Sequence, residues 1–268
     1  MKIVSLNAWG GQVWDALAPW IASLDVDVLC LQEVTRAPVQ SPEWLRYVDP
    51  YRDLAQRSGL FGDISALLPD HQSFFAVATR GVLLDDKGVA VPSEHGLGLW
   101  VRRNLAVTQF AQGFVHGTFR PDGWGAEPVP RAMQVVRVQD PGTGQSLCVG
   151  HFHGLRDPSG KGDTAARTRQ TERAIALFRS LWQQDIPAVL AGDFNLLPDS
   201  ASFAQFAQNG LHDLIAYHRI MDTRTTLYKK SQRFADYMLV SNDLLAESAF
   251  DVPDQPEVSD HRPLILVT

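Results

Sequence analysis

Two cysteines in 268 residues leave no material for a disulfide framework, and neither Cys30 nor Cys148 has the CxxC spacing of a thiolate zinc site. Each lies in a strand-like segment, VDVLCLQEV or SLCVGHF. One bridge between them is allowed but unneeded, and buried free thiols in a reducing compartment are the expectation. No apolar run approaches the ~20 residues of a membrane-spanning helix. The opening MKIVSLNAWGG does not read as a signal peptide: only Lys2 precedes a short run broken by Asn7, and no small-residue cleavage site follows. The chain is therefore expected to start at Met1 and to work in the cytoplasm. An excess of basic residues is also missing. Lys and Arg total 24 against 30 Asp and Glu, for a formal charge of −6. That balance argues against coating nucleic acid with a broad basic surface, though a local basic rim around a site is compatible with it. Repeats, low-complexity stretches and linkers are absent, so a single domain over residues 1–268 is expected, large enough to bury a sizeable core.

What is present is an alternation of strand-like and helix-like segments. Residues 1–8 and 26–33 read as strands, the second continuous and apolar as if covered on both faces. Between them Val13, Leu17, Trp20, Ile21 and Leu24 recur at helical spacing, with Pro19 expected to kink or restart that helix. Residues 34–72 are mixed, with short helical pieces. Strands are expected at 74–79 and 97–101, and a hairpin around Asp85-Asp86-Lys87-Gly88. Residues 116–131, rich in Gly and Pro, form a loop. Strands follow at 133–138 and 146–152. Asp163 or Thr164 caps a helix to about Gln184, with Ala174, Leu177 and Leu181 inward and Gln170 and Arg167 extending that stripe. A strand at 186–191, a helix near 201–209, and strands at 235–240 and 262–267 complete the chain. Helices packed outside mixed sheets, an α/β or α+β body, account for this order.

Chemistry-bearing residues sit at the strand ends. Asn7, Glu33, His153 and the Asp193/Asn195 pair lie at C-terminal ends, whereas Asp236 and Asp260-His261 lie at N-terminal ends. They converge only if the last two strands run antiparallel to the others. Singly, each has an ordinary explanation as a turn former or surface carboxylate. Together they make an oxygen-rich cluster with two histidines.

The segments LNAWG, LQEV, AGDFN, FADYMLV and SDHRP, in this order from Leu6 to Pro263, resemble the endonuclease/exonuclease/phosphatase family, whose fold is that of deoxyribonuclease I. The resemblance implies a four-layer α/β/β/α sandwich, two mixed β-sheets flanked by helices, with the site at one end of the sheets. It also implies metal-dependent hydrolysis of a phosphoester, usually with magnesium, manganese being the alternative. A hard cation prefers carboxylate oxygens, which makes Glu33 the first metal ligand, with Asn7 and Asp260 as helpers. His261 falls in the motif of the family's catalytic histidine, and Asp236 is assigned as the partner that orients it. Asp193 is expected to align or deprotonate the attacking water, and Asn195 to hold that water or a phosphoryl oxygen. The sharing of base duty between Asp193 and the His261–Asp236 pair stays open. His153 matches the family's phosphate-contacting histidine, with His151 on the same strand face as the competing choice.

Outside the motifs, Arg120, Trp124 and Arg131 of the Gly/Pro-rich loop are candidate substrate contacts, as are Arg167 and Gln170, for which a structural role bonding loop backbone has equal weight. Trp9, His95 and Arg224 are further candidates for the cleft border. GKGDT lacks the GxxxxGK[ST] spacing and a strand directly before it, so a nucleotide P-loop is rejected. The basic clusters are small: Arg102-Arg103, and Lys229-Lys230 with Arg233. The acidic balance favours a small-molecule or lipid-head-group phosphatase or phosphodiesterase over a nuclease or DNA-repair enzyme. A non-catalytic protein retaining the fold should have lost a ligand or the histidine; here all of them stand.

Overall fold

The computed structural model describes residues 1–50, 52–123 and 129–268. In chain order the elements are β1 (Lys2–Asn7), α1 (Trp14–Ser23), β2 (Val28–Arg36), β3 (Trp44–Asp49), β4 (Arg52–Arg57), α2 (Leu60–Leu67), β5 (His71–Leu84), β6 (Ala90–Arg102), β7 (Ala106–His116), β8 (Arg131–Gln139), β9 (Ser146–His153), α3 (Ala165–Arg179), β10 (Ala188–Asp193), α4 (Ala201–Gln208), β11 (His212–Asp213), α5 (Leu214–Tyr217), β12 (Asp236–Val240), β13 (Ala249–Asp251) and β14 (Leu264–Val267). Among the described residues the strands form two mixed sheets, one of eight in the order β13-β14-β1-β2-β6-β5-β3-β4 and one of six in the order β11-β12-β10-β9-β8-β7.

Strand alternation builds the layers. On β1, Ile3 joins the core between the sheets, while Val4 and Leu6 turn the other way onto Leu17 and Ile21 of α1 and Leu60 and Ile64 of α2. On the six-stranded sheet, Phe178 of α3 and Phe206 of α4 belong to the main core. The result is helix, sheet, sheet, helix. Cys30 and Cys148 are both free and buried in it, and burial pushes the Cys148 thiol up to about 12.

The topological condition for a site is met. β1 pairs with β2 in parallel and β9 with β10 in parallel, whereas β14 runs antiparallel to β1 and β12 antiparallel to β10. Register then sets Asp236, Asp193 and His153 side by side in one row across β12, β10 and β9.

Several local expectations need correction. α1 runs through Pro19 without a break, because Pro19 is on the exposed face and Leu17 and Ile21 hold the helix to the core. α3 ends at Arg179, short of Gln184, and its fully buried face is Arg167, Gln170, Thr171, Ala174 and Phe178, with Leu177 and Leu181 only partly covered. Within the stretch expected to hold short helical pieces, residues 44–49 and 52–57 pair as antiparallel strands instead, and the helical piece is α2. β7 was not anticipated, since its mixed polar pattern AVTQFAQGFVH is that of an edge strand with little burial. β2 passes beyond Glu33 to Arg36 through a bulge in which Gln32 and Glu33 together face Leu97 of β6.

Close approach of backbones explains one glycine of AGDFN. Gly192 has φ +140°, and a Cβ there would meet the Phe152 carbonyl oxygen at 2.1 Å. Gly192→Ala should lower stability by about 2 kcal/mol or more, about 5 °C in thermal midpoint. An unchanged melting curve would show that the β9–β10 end tolerates a side chain.

Candidate active site

The polar row at the end of the six-stranded sheet meets the polar end of the eight-stranded one. Asn7, closing β1, points between the sheets, and its Nδ2 donates to Asp193 Oδ2 at 3.0 Å and to Glu33 Oε1 at 3.1 Å. Its Oδ1 accepts the Trp9 amide at 2.9 Å. Ser259 Oγ donates to the Asn7 carbonyl at 2.6 Å and accepts the His261 amide at 3.2 Å, which fixes the chain just before β14. His261 Nδ1 lies 2.8 Å from both Asp236 carboxylate oxygens. Its Nε2 faces Asp193 Oδ2 at 3.7 Å and Asp260 Oδ1 at 3.6 Å. His153 Nε2 approaches Asp193 Oδ2 at 3.6 Å and Glu33 Oε1 at 4.0 Å. Asp193 is thus the hub, and its Oδ1 also accepts the Asn195 amide at 3.0 Å.

Backbone strain concentrates here. Among the described residues four that are not glycine have positive φ, and Trp9, Glu33 and Asn195 are three of them. Asn adopts that region with ease; Glu and Trp do so only when the surroundings over-determine it. The β2 bulge is what aims Glu33 at the cluster. Phe194, by contrast, turns away and packs on Phe152, Phe203, Phe206 and Tyr237, leaving Asp193 and Asn195 to the cleft.

Burial alone would push Asp193 up, but His153, His261, Arg224 and Lys161 hold its carboxyl well below the usual range. Burial and Arg224 oppose a charge on His261, yet Asp236 and Asp260 more than offset them and its imidazole is shifted up. Burial, with Arg131 nearby, drives His153 well down. Asp260 is raised, first by burial and also by Glu33. Among the described residues, Asp193, Asp236 and His261 each offer a metal-ligand atom within 4.8 Å of the others.

Glu33, His153, Asp193, Asn195, Asp260 and His261 line a cleft of about 580 Å³. A model of the Endonuclease/Exonuclease/phosphatase family matches residues 4–261. The chain belongs to that family. Solved structures agree on the fold: a mannosyl-6-phosphatase of Bacteroides thetaiotaomicron (17% identity, TM-score 0.64, covering 100% of this chain and 98% of that one), the human Nocturnin catalytic domain with bound sulfate (17%, 0.59, 99% and 92%) and a humanized Danio rerio TDP2 (14%, 0.57, 99% and 97%). No curated protein matches the sequence itself. The family generally consists of metal-dependent phosphoester hydrolases.

Within this family site, the two histidines of β9 separate. His151 is interior, its Nε2 2.9 Å from Gln134 Oε1 and its Nδ1 3.4 Å from Gln32 Nε2; His153 lines the cleft. Trp9, His95, Arg131 and Arg224 line it too. Arg120 does not: its backbone pairs with Thr79 and Arg80 of β5 instead. Trp124 lies outside the described residues. Gln170 is turned to the chain itself, accepting the Leu155 amide at 2.7 Å. Arg167 reaches the cleft wall, but its guanidinium is spent on carbonyls of Leu155, Gly160, Gly162 and Asn195 at 2.5–3.2 Å. Lys161 went unnoticed in the sequence. It belongs to the GKGDT segment, and its Nζ donates to the Phe234 carbonyl at the cleft wall. GKGDT carries neither the P-loop spacing nor a strand directly before it, and no other local signal marks this lysine.

Arg167→Met would leave the buried carbonyls of Leu155 and Asn195 without this donor, at a cost of about 2–4 kcal/mol. The expected readout is a lower thermal midpoint and faster amide exchange over residues 155–162. Unchanged exchange there would contradict this anchoring role.

Proposed function

We propose that the chain is a divalent-metal-dependent hydrolase of small phosphoesters, a phosphatase or phosphodiesterase acting on a small molecule or lipid head group. The observation that carries this reading is His261 clamped at Nδ1 by Asp236 with Nε2 turned to Asp193 at the floor of the cleft. In this reading Asp193 accepts a hydrogen bond from the attacking water, which its backbone-fixed Oδ1 and shared Oδ2 position. Asn195 and His153 border the same spot, suited to the phosphoryl oxygens. Proton transfer falls to the Asp193–His261 side, with Asp236 holding the imidazole in the required tautomer and orientation. The restricted cleft and the chain's acidic balance favour a small ester over a nucleic acid.

The donor set suits a hard cation. Asp260 Oδ1 is buried with no hydrogen-bond partner among the described residues, and Glu33 and Asn7 stand next to each other on the same side of the centre. In the Asp193–Asp236–His261 group, by contrast, Nδ1 and both Asp236 oxygens are already engaged with each other. Glu33 and Asp260, with Asn7, are therefore the proposed ligands. A bound Mg²⁺ or Mn²⁺ would polarise the phosphoryl oxygens and screen the charge that builds up on them.

A panel of p-nitrophenyl phosphate, bis-p-nitrophenyl phosphate, sugar phosphates, sphingomyelin, plasmid and RNA, assayed with Mg²⁺, Mn²⁺ or chelator, tests the reading. Turnover of small esters that chelator abolishes is expected, and His261→Ala should cut kcat by about 10³-fold. A folded sample silent on every ester overturns the reading; preference for plasmid or RNA moves it to a nuclease. Separately, Glu33→Gln should weaken Mn²⁺ binding, read by titration calorimetry, by about tenfold or more. If instead only Asp236→Asn does so, the ion sits in the Asp-Asp-His group.

A further inference from the structure

In a chain of net charge −6, the described cleft walls carry eight Lys and Arg side chains against four carboxylates. One of these cations, Arg224, touches the reacting centre, and a second, Lys161, lines the same cleft with its charge acting on Asp193. Arg224 lies on a segment pinned beside the entry to β14: it forms a bridge with His261, the Thr225 amide donates to the Asp260 carbonyl at 3.1 Å, and the Arg262 amide to the Thr223 carbonyl at 3.0 Å. Its guanidinium stacks on Tyr228, 4.2 Å from the ring centre. Nη1 donates to Asp260 Oδ2 at 3.1 Å and contacts His261 Nε2. Arg224 is only 5% exposed, yet its Nε has no hydrogen-bond partner among the described residues. On the other side, Lys161 holds a neutral carbonyl and has no carboxylate at ion-pair distance among the described residues. Burial costs both cations solvation, which a protein accepts where an anion is to be bound.

We infer that Arg224 and Lys161 form a cationic clamp for the transferred phosphoryl group, and that the clamp selects a doubly charged phosphomonoester over a singly charged diester. The inference rests on the phosphoester reading above. In the neutral ring that donates through Nδ1 to Asp236, Nε2 is the acceptor, and Arg224 covers that atom in the free protein. Anionic phosphoryl oxygens are the stronger acceptors for a guanidinium, and its planar fork matches two of them. Substrate therefore draws Arg224 onto the phosphoryl group and uncovers Nε2 at the moment it is needed. Lys161 meets a third oxygen, one that a diester lacks as a charged acceptor. In the reaction the water oxygen bonds to phosphorus and the ester P–O bond breaks, its electron pair leaving on the alcohol oxygen. One water proton ends on that alcohol and the other stays on the phosphate, so the products are an alcohol and hydrogen phosphate. Arg224 and Lys161 hold the charge on the non-bridging oxygens throughout.

The test compares wild type with Arg224→Ala, Arg224→Lys and Lys161→Ala. Rates are read on p-nitrophenyl phosphate and bis-p-nitrophenyl phosphate, and inorganic phosphate binding by titration calorimetry. Arg224→Ala should lose about 100-fold in kcat on the monoester, and Lys161→Ala about tenfold. Diester rates should fall by much less. Phosphate affinity should drop by about tenfold in both alanine variants, and added guanidinium should restore part of the Arg224→Ala loss. Arg224→Lys, a smaller perturbation, should keep the monoester preference at a reduced rate. Equal losses on the two esters overturn the selectivity, and unchanged phosphate affinity overturns the clamp. If wild type hydrolyses neither ester, the phosphoester reading fails on its own, while the phosphate titration still decides the clamp.

Discussion

The hydrogen bonds that cross from one sheet to the other are what the rest of this structure depends on. Asp236 opens β12 in the six-stranded sheet, and His261 stands just before β14 in the eight-stranded one; their 2.8 Å contact ties the two together. Asn7, closing β1, makes the second tie by donating to Asp193 at the end of β10. The two ties lie at one end of the sheets because β12 and β14 run against their neighbours, which brings Asp236 and His261, at N-terminal strand ends, to the C-terminal ends of β1, β9 and β10. The mixed topology is the condition for the site, and the buried apolar seam below it keeps the two sheets in register.

Charge at this density is expensive to bury, and the arrangement shows how the cost is offset. Asp193 lies in the field of His261, Arg224 and Lys161, so its carboxylate is held by opposing charge rather than by water. Neutral groups settle the remaining directions: the Asn195 amide fixes one Asp193 oxygen, and Ser259 links the Asn7 carbonyl to the His261 amide. The strain is local and belongs to the same few residues. Glu33 adopts a positive φ inside a bulge, which turns it out of β2 and toward His153.

The core of the site was legible because strands covered on both faces leave polar residues conspicuous at their ends. Asn7, Glu33, His153, Asp193, Asn195, Asp236, Asp260 and His261 all stood out in this way, and the structure brings them together at one end of the sheets. The preference for His153 over His151 also agrees with their placement, since one step of two residues separates a cleft position from the interior. What the pattern could not show was which cations turn inward from loops. Arg224 is only a candidate for the cleft border on sequence, and Lys161 lies in GKGDT, which has neither the P-loop spacing nor a strand directly before it. Arg120 is chosen on the composition of its loop, and the chain uses its backbone beside β5; Gln170 extends the inward stripe of α3 and takes the backbone-bonding alternative by accepting the Leu155 amide. Edge strand β7 and the β3–β4 hairpin escaped because lightly buried strands lose the apolar signal on which such reading relies.

The central claim is that the meeting point of the two sheets holds a phosphoryl group against Asp193 and His261, beside a cation on Glu33. Anomalous diffraction from crystals soaked in Mn²⁺ and inorganic phosphate tests it most directly. One manganese peak bounded by Glu33 and Asp260 is expected, with phosphate in hydrogen-bond reach of Asn195 and Arg224. A peak held by Asp193, Asp236 and His261, or phosphate bound away from these residues, would contradict it.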